Sequence, residues 1–162
     1  MLLSGEIFTA RDAAHSMLFR LLDAGEELPF DVRGAVIYYA GPTGGGGRSA
    51  VGSCGPTTSG RMDNFAPRLY DLGLVATIGK GERSAGVKEA IVRNSGIYLC
   101  AVGGAGALIA KNIVSAAEVA FAELGCESVK KLRVESMPLT VGVDCRGGDL
   151  FEIGRREFLV DS

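Results

Sequence analysis

Short apolar runs of strand length alternate along this chain with segments whose apolar residues recur at helical spacing, and glycine punctuates the boundaries. Such alternation predicts a single α/β domain with a mixed sheet. Residues 10–24 carry Ala14, Met17, Leu18, Leu21 and Leu22 at helical spacing, with Thr9 as a candidate cap and Gly25 as the stop. Strands are expected at 35–40, 50–53, 75–78 and 97–102. Helices are expected from the threonines at 57–58 through Leu72, over 84–93 behind Ser84, and from the glycines at 103–106 to Lys111. Segments 113–120, 132–134 and 139–144 read as extended, with a helical turn at 126–131. A tight turn at 146–149 precedes a further extended piece at 150–153. No repeat or linker interrupts the pattern, so residues 1–162 are expected to form one domain.

Composition narrows the function. A formal charge of −2 gives no basic stripe for nucleic acid. The longest apolar run, 97–110, is too short to cross a bilayer, and no signal core follows a basic N-terminus. The four cysteines, Cys54, Cys100, Cys126 and Cys145, form no C-x-x-C pair. Neither a zinc site nor a self-contained iron–sulfur site is therefore signalled, and reduced structural thiols in a cytoplasm are the plain reading.

The stretch 52–63, Gly-Ser-Cys-Gly-Pro-Thr-Thr-Ser-Gly-Arg-Met-Asp, carries the chemistry. It reads as a strand end, a Gly55-Pro56 turn and a helix start, a place where unpaired N–H groups and the dipole favour an anion. Thr57 or Thr58 could cap that helix, and Arg61, one turn on, could fork onto a carboxylate or phosphate. A P-loop reading fails at two positions, because Arg61 replaces the lysine and Met62 the magnesium-binding hydroxyl. Gly103–106 lacks the remainder of a dinucleotide fingerprint.

Arg11 opens the first helix against its dipole, which favours a task beyond solubility. His15 lies one turn later; as the sole histidine it suggests a general base, but a capped or packed histidine is the favoured reading. Lys80, between Gly79 and Gly81 after a buried strand, could hold its ammonium at the sheet's end. Arg83 and the Lys130/Lys131/Arg133 run read as solvated, the latter on a helix face. Cations and hydroxyls on loops suit a small dicarboxylate, yet no electrophile accompanies them, so the chain reads as half of an active site.

The 52–63 stretch, with Arg11-Asp-Ala-Ala-His15 upstream and Ile78-Gly-Lys-Gly81 downstream, resembles the β region of the iron–sulfur hydro-lyases, the class I fumarases and L(+)-tartrate dehydratases. Residues 39–43 and 102–106 are similar to further family segments, and the likeness runs from about Ile7 to Phe151. The resemblance implies a swivelling β/β/α fold, and an α region, fused or separate, whose three cysteines carry a four-iron–four-sulfur cluster. None of that cluster is bound by this chain alone. It implies Thr57 as the proton-abstracting hydroxyl and Arg11, Arg61 and Lys80 as carboxylate ligands, with Thr58 beside them. The expected protein is a fumarate hydratase β subunit working with its α subunit in a hetero-oligomer, without nucleic acid or membrane. Tartrate dehydratase, a non-catalytic dicarboxylate-binding partner, and phosphate or nucleotide binding at 55–61 are the rival readings.

Overall fold

The computed structural model describes residues 1–47 and 49–159. Seven strands form one mixed sheet: β1 (Leu2–Thr9), β2 (Val36–Tyr38), β3 (Ala76–Gly79), β4 (Ile97–Cys100), β5 (Ile113–Ala120), β6 (Val129–Pro138) and β7 (Thr140–Val143). Their order across the sheet is β5-β6-β1-β2-β3-β4-β7. The central four, β1 to β4, are parallel and adjacent in chain order, while β6 and β7 flank them antiparallel. Five helices accompany them among the described residues: α1 (Asp12–Ala24), α2 (Ala66–Asp71), α3 (Ala85–Arg93), α4 (Gly106–Ala110) and α5 (Leu150–Phe158).

Strand alternation splits the core between the two faces of the sheet. On one face Ile37, Tyr39 and Tyr98 pack under α1, α2 and α3, through Ala14, Leu18, Leu69, Val87 and Ile91. On the other, Tyr38, Ile78 and Leu99 meet Ile109 of α4 together with Leu132, Val134 and Met137 of β6. Both faces are therefore covered, as a sheet with a parallel centre requires. Three successive β-α-β crossovers on one face point the carboxyl ends of β1 to β4 toward the same edge. Because β6 runs the other way, with Lys130 opposite Thr9, the residues just before it arrive at that same edge.

The α/β class, the helix stop at Gly25 (φ 72°) and the extended 113–120 segment agree with the sequence reading. Several local expectations do not. The long helix from Thr57 to Leu72 is a 3₁₀ turn, Ser59–Met62, followed separately by α2. Its break is fixed by Asp63, whose carboxylate is engaged by Arg83 and by the Ser84 amide. Residues 50–53 form no strand, only an isolated bridge at Val51. The predicted turn at 126–131 shifts to Ala122–Glu127, and Lys130, Lys131 and Arg133 lie in β6 rather than on a helix. Thr9 ends β1 instead of capping α1; its hydroxyl accepts the Lys130 N–H at 3.1 Å. Residues 150–153 begin α5, because Asp149 caps it by accepting from the Phe151 N–H at 2.8 Å. The end of the single expected domain, 160–162, lies outside the described residues.

Candidate active site

Arg11 is the N-cap of α1 in extended conformation, immediately beyond β1. Lys80 follows β3 directly, and Gly41 and Gly103 stand just past β2 and β4. All four positions thus belong to the carboxyl edge of the parallel strands, where ligands of open α/β sheets bind. The threonine segment joins this edge through its backbone. Thr57 donates its N–H to the Tyr39 carbonyl at 2.6 Å and accepts from the Lys80 N–H at 3.2 Å. Ser59 in turn donates to the Lys80 carbonyl at 2.8 Å, so Thr58 pairs with Lys80 as a one-residue parallel bridge.

Close approach here depends on two missing side chains. A Cβ on Gly79 would fall 2.0 Å from the Ser59 hydroxyl, which would push the threonine segment off β3. A Cβ on Gly41 would fall 3.0 Å from Arg11 Nη1 and 3.1 Å from the Cys126 carbonyl oxygen. Arg11 therefore lies flat against the end of β2. The Lys80 side chain runs past Gly103, whose hypothetical Cβ would stand 3.7 Å from Nζ.

Arg61 sits in the 3₁₀ turn and reaches across to α1, where Asp12 Oδ1 accepts from its Nε at 2.9 Å. Arg11 Nη2 lies 3.4 Å from Glu127 Oε1, while Arg11 Nε is buried without a partner. The structure consequently brings Arg11, Thr57, Thr58, Arg61 and Lys80 to one edge of the sheet. It does so without the helix start expected at Thr57–Thr58. The 3₁₀ turn has only four residues, and Thr58 makes no side-chain cap. Positive charge comes from Arg11 at the N-cap of α1, Arg61 in the 3₁₀ turn and Lys80 at the end of β3. The phosphate-loop reading loses its footing for the same reason.

His15 is fully buried against Tyr39 and Phe65, with Nδ1 2.9 Å from the Arg11 carbonyl oxygen. That contact makes Nδ1 the donor and leaves Nε2 as an unpaired buried acceptor. Burial pushes its pKa down from 6.5 to about 4, so the ring is neutral at pH 7. It supports the turn carrying Arg11, and the packed reading of this histidine holds.

Arg83, expected in solvent, is instead buried beneath the site. Its Nε donates to Asp63 Oδ1 at 2.7 Å and its Nη1 to the Thr77 hydroxyl at 3.0 Å. The guanidinium also stands 5.3 and 5.0 Å from the ring centres of Tyr39 and Tyr98. Tyr98 shares a 2.8 Å hydrogen bond with Ser59 and donates to the Gly81 carbonyl at 2.7 Å. This network braces both sides of Thr57–Lys80. Nothing local marks Arg83 as buried, since its partners come from four other elements. Glu127 is similarly invisible, whereas Asp12 lies inside a motif already singled out.

Among the described residues, no group of three or more His, Cys, Asp or Glu side chains is placed to hold a metal ion. Cys54, closest in sequence to the threonines, faces the core, and burial pushes its thiol up to about 12. A thiol so disposed is a poor metal ligand. Cys54 therefore does not fit the ligation of an iron–sulfur cluster. No helix is long and apolar enough to cross a membrane among the described residues.

Comparison with known proteins gives the fold and site a family. The profile of the fumarase C-terminus matches residues 1–154. The chain is 41% identical over 152 residues to the anaerobic class I fumarate hydratase of Escherichia coli, covering 93% of this chain and 28% of that protein. It is 39% identical to fumarate hydratase 2 of Leishmania major, covering 93% and 27%. A Methanocaldococcus jannaschii protein provisionally named L(+)-tartrate dehydratase subunit beta is 36% identical over 160 residues, covering 93% and 80%. The chain thus spans little more than a quarter of the fumarate hydratases it matches, but most of the archaeal subunit. On the match to its residues 1–154, this chain belongs to the fumarase C-terminus family of hydro-lyases.

Proposed function

We propose that this chain is the β part of a two-part fumarate hydratase and that it acts on fumarate and (S)-malate with an α part. The observation that carries this reading is the gathering of Arg11, Arg61 and Lys80 around the Thr57–Thr58 segment at one sheet edge. Three cations beside two hydroxyls match the needs of a four-carbon dicarboxylate. Such fixed charge counts most where it grows during reaction. Loss of water from malate breaks a C–H bond beside one carboxylate, and the electron pair is delocalised toward that carboxylate as the new double bond forms. Cations preorganised at its oxygens stabilise that transition state.

Thr57 is assigned the proton transfer. A threonine hydroxyl is a weak base at neutral pH and needs a cationic setting to act. Lys80, whose backbone N–H donates to the Thr57 carbonyl, and Arg61, four residues on, are the cations assigned to that setting. Thr58, Arg11, Arg61 and Lys80 hold and orient the diacid. A four-iron–four-sulfur cluster on the α part would supply the Lewis acid for the substrate hydroxyl.

The test is anaerobic reconstitution with the α part encoded by the same source. Malate formation from fumarate should require both parts, and Thr57→Ala should lower kcat far more than KM. Full turnover by the α part alone would refute a shared site. The archaeal relative's name favours a second reading, L(+)-tartrate dehydratase. Side-by-side turnover of fumarate and L(+)-tartrate by the same preparation separates the two.

A further inference from the structure

We infer that Glu127 is a positioning residue for Arg11, an assignment that rests on Arg11 holding a substrate carboxylate. Glu127 ends the 3₁₀ segment Ala122–Glu127, immediately before β6, and comes back to α1 across 114 residues of chain. Its Oε2 accepts from the Ala13 N–H at 3.3 Å, inside the first turn of α1. Its Oε1 stands 3.4 Å from Arg11 Nη2. One carboxylate thus serves both a helix N-terminus and the arginine that caps it.

The need for this device is physical. Arg11 places a cation at the positive end of a 13-residue helix, with no side-chain cap of its own. Left alone, the guanidinium would be repelled toward solvent. Glu127 neutralises that repulsion and draws the side chain flat against Gly41. It stands 3.4 Å from Nη2, whereas Asp12 faces both Nε and Nη2 of Arg61. Arg11 Nε remains buried and unpaired, a donor still to be satisfied. The pair is about three-quarters shielded, with 24% and 26% side-chain exposure, so it is screened less than a surface pair. Glu127 therefore sets the arginine's rotamer through Nη2.

Glu127 also sits in a segment whose backbone is unlike its surroundings. Phe121, just before it, has φ 60°, and Gly125 has φ 60° with ψ −115°. This conformation presents the Cys126 carbonyl to Gly41 and turns Glu127 inward beside Arg11.

The experiment compares Glu127→Gln, Arg11→Lys and the double variant in the reconstituted two-part enzyme, with fumarate as substrate. Glu127→Gln keeps the size and an acceptor for the Ala13 N–H but removes the charge. Expected is a rise in fumarate KM of about tenfold, the scale of coupling between residues in contact, with kcat within about twofold of the parent. Glu127→Asp should recover part of the loss. In the Arg11→Lys background, Glu127→Gln should add less than about twofold to KM, because the two act as one unit. A KM unchanged by Glu127→Gln, or an equal rise in both backgrounds, overturns the assignment. A lowered KM also overturns it, since Glu127 would then compete for Arg11. If Arg11→Lys alone leaves KM unaltered, Arg11 is not a carboxylate ligand, and that failure belongs to the underlying reading.

Discussion

Asp12 and Arg61 form a two-point ion pair. Oδ1 accepts from Nε at 2.9 Å, and Oδ2 lies 2.8 Å from Nη2, close but not aligned as a hydrogen bond. The pair ties the first turn of α1 to the turn carrying the threonines, so Arg11 and Thr57 cannot drift apart independently. With side-chain exposures of 51% and 35%, its contribution to stability is small, below about 1 kcal/mol. Its weight falls on geometry.

Arg61→Ala should therefore cost about 2–5 kcal/mol in kcat/KM of the reconstituted enzyme, the range for losing one partner of a charged contact. The same substitution should shift unfolding of the β part only slightly. Asp12→Asn should lower kcat/KM less than Arg61→Ala. Steady-state kinetics beside urea titration checks both, and an unchanged kcat/KM removes Arg61 from the site.

Arg83 behaves in the opposite way, because its side chain is wholly buried. Arg83→Ala leaves Asp63 with one hydrogen bond, to the Ser84 amide, and opens a gap between Tyr39 and Tyr98. The expected loss is about 3–5 kcal/mol of folding stability, the range for breaking a buried pair. Urea midpoints measure it, and a loss below about 1 kcal/mol would show that the pair is wetter than its burial implies.

His15 gives a pH signature. Its folded pKa, lowered from 6.5 to about 4 by burial, means that only the unfolded chain binds a proton between those values. Stability from this group is complete above pH 6.5 and declines as pH falls toward 4. The total is roughly 3 kcal/mol at about 1.4 kcal/mol per pH unit. His15→Phe should flatten the slope of unfolding free energy between pH 5 and 6.5, where few carboxylates titrate. A slope unaltered by the substitution would place the titration elsewhere.

The parts of the fold with short-range causes were legible in the sequence. Helical spacing from Ala14 to Leu22 and the glycine stop gave α1, and apolar runs beside glycines marked β2, β3 and β4. β1 carries no local signal, since Ser4, Gly5 and Glu6 break its apolar pattern and most of its pairing is with β6, far along the chain. Thr57 to Leu72 read as one helix because the break at Asp63 is imposed by Arg83, from beyond β3. The candidate site divides in the same way. Thr57, Thr58, Arg61 and Lys80 lie in motifs visible along the chain. Glu127 and Arg83 acquire meaning only through the sheet, and no local pattern distinguishes them from surface charges.

The antiparallel pairing of β6 with β1 carries a further implication for assembly. Until 129–138 has docked beside 2–9, the first helix lacks its acidic neighbour, and one edge of β1 has no ladder partner. β2 closes one edge of β1 from about thirty residues away, whereas β6 closes the other from more than 120. Contacts so remote in sequence slow the closure that completes the surroundings of Arg11.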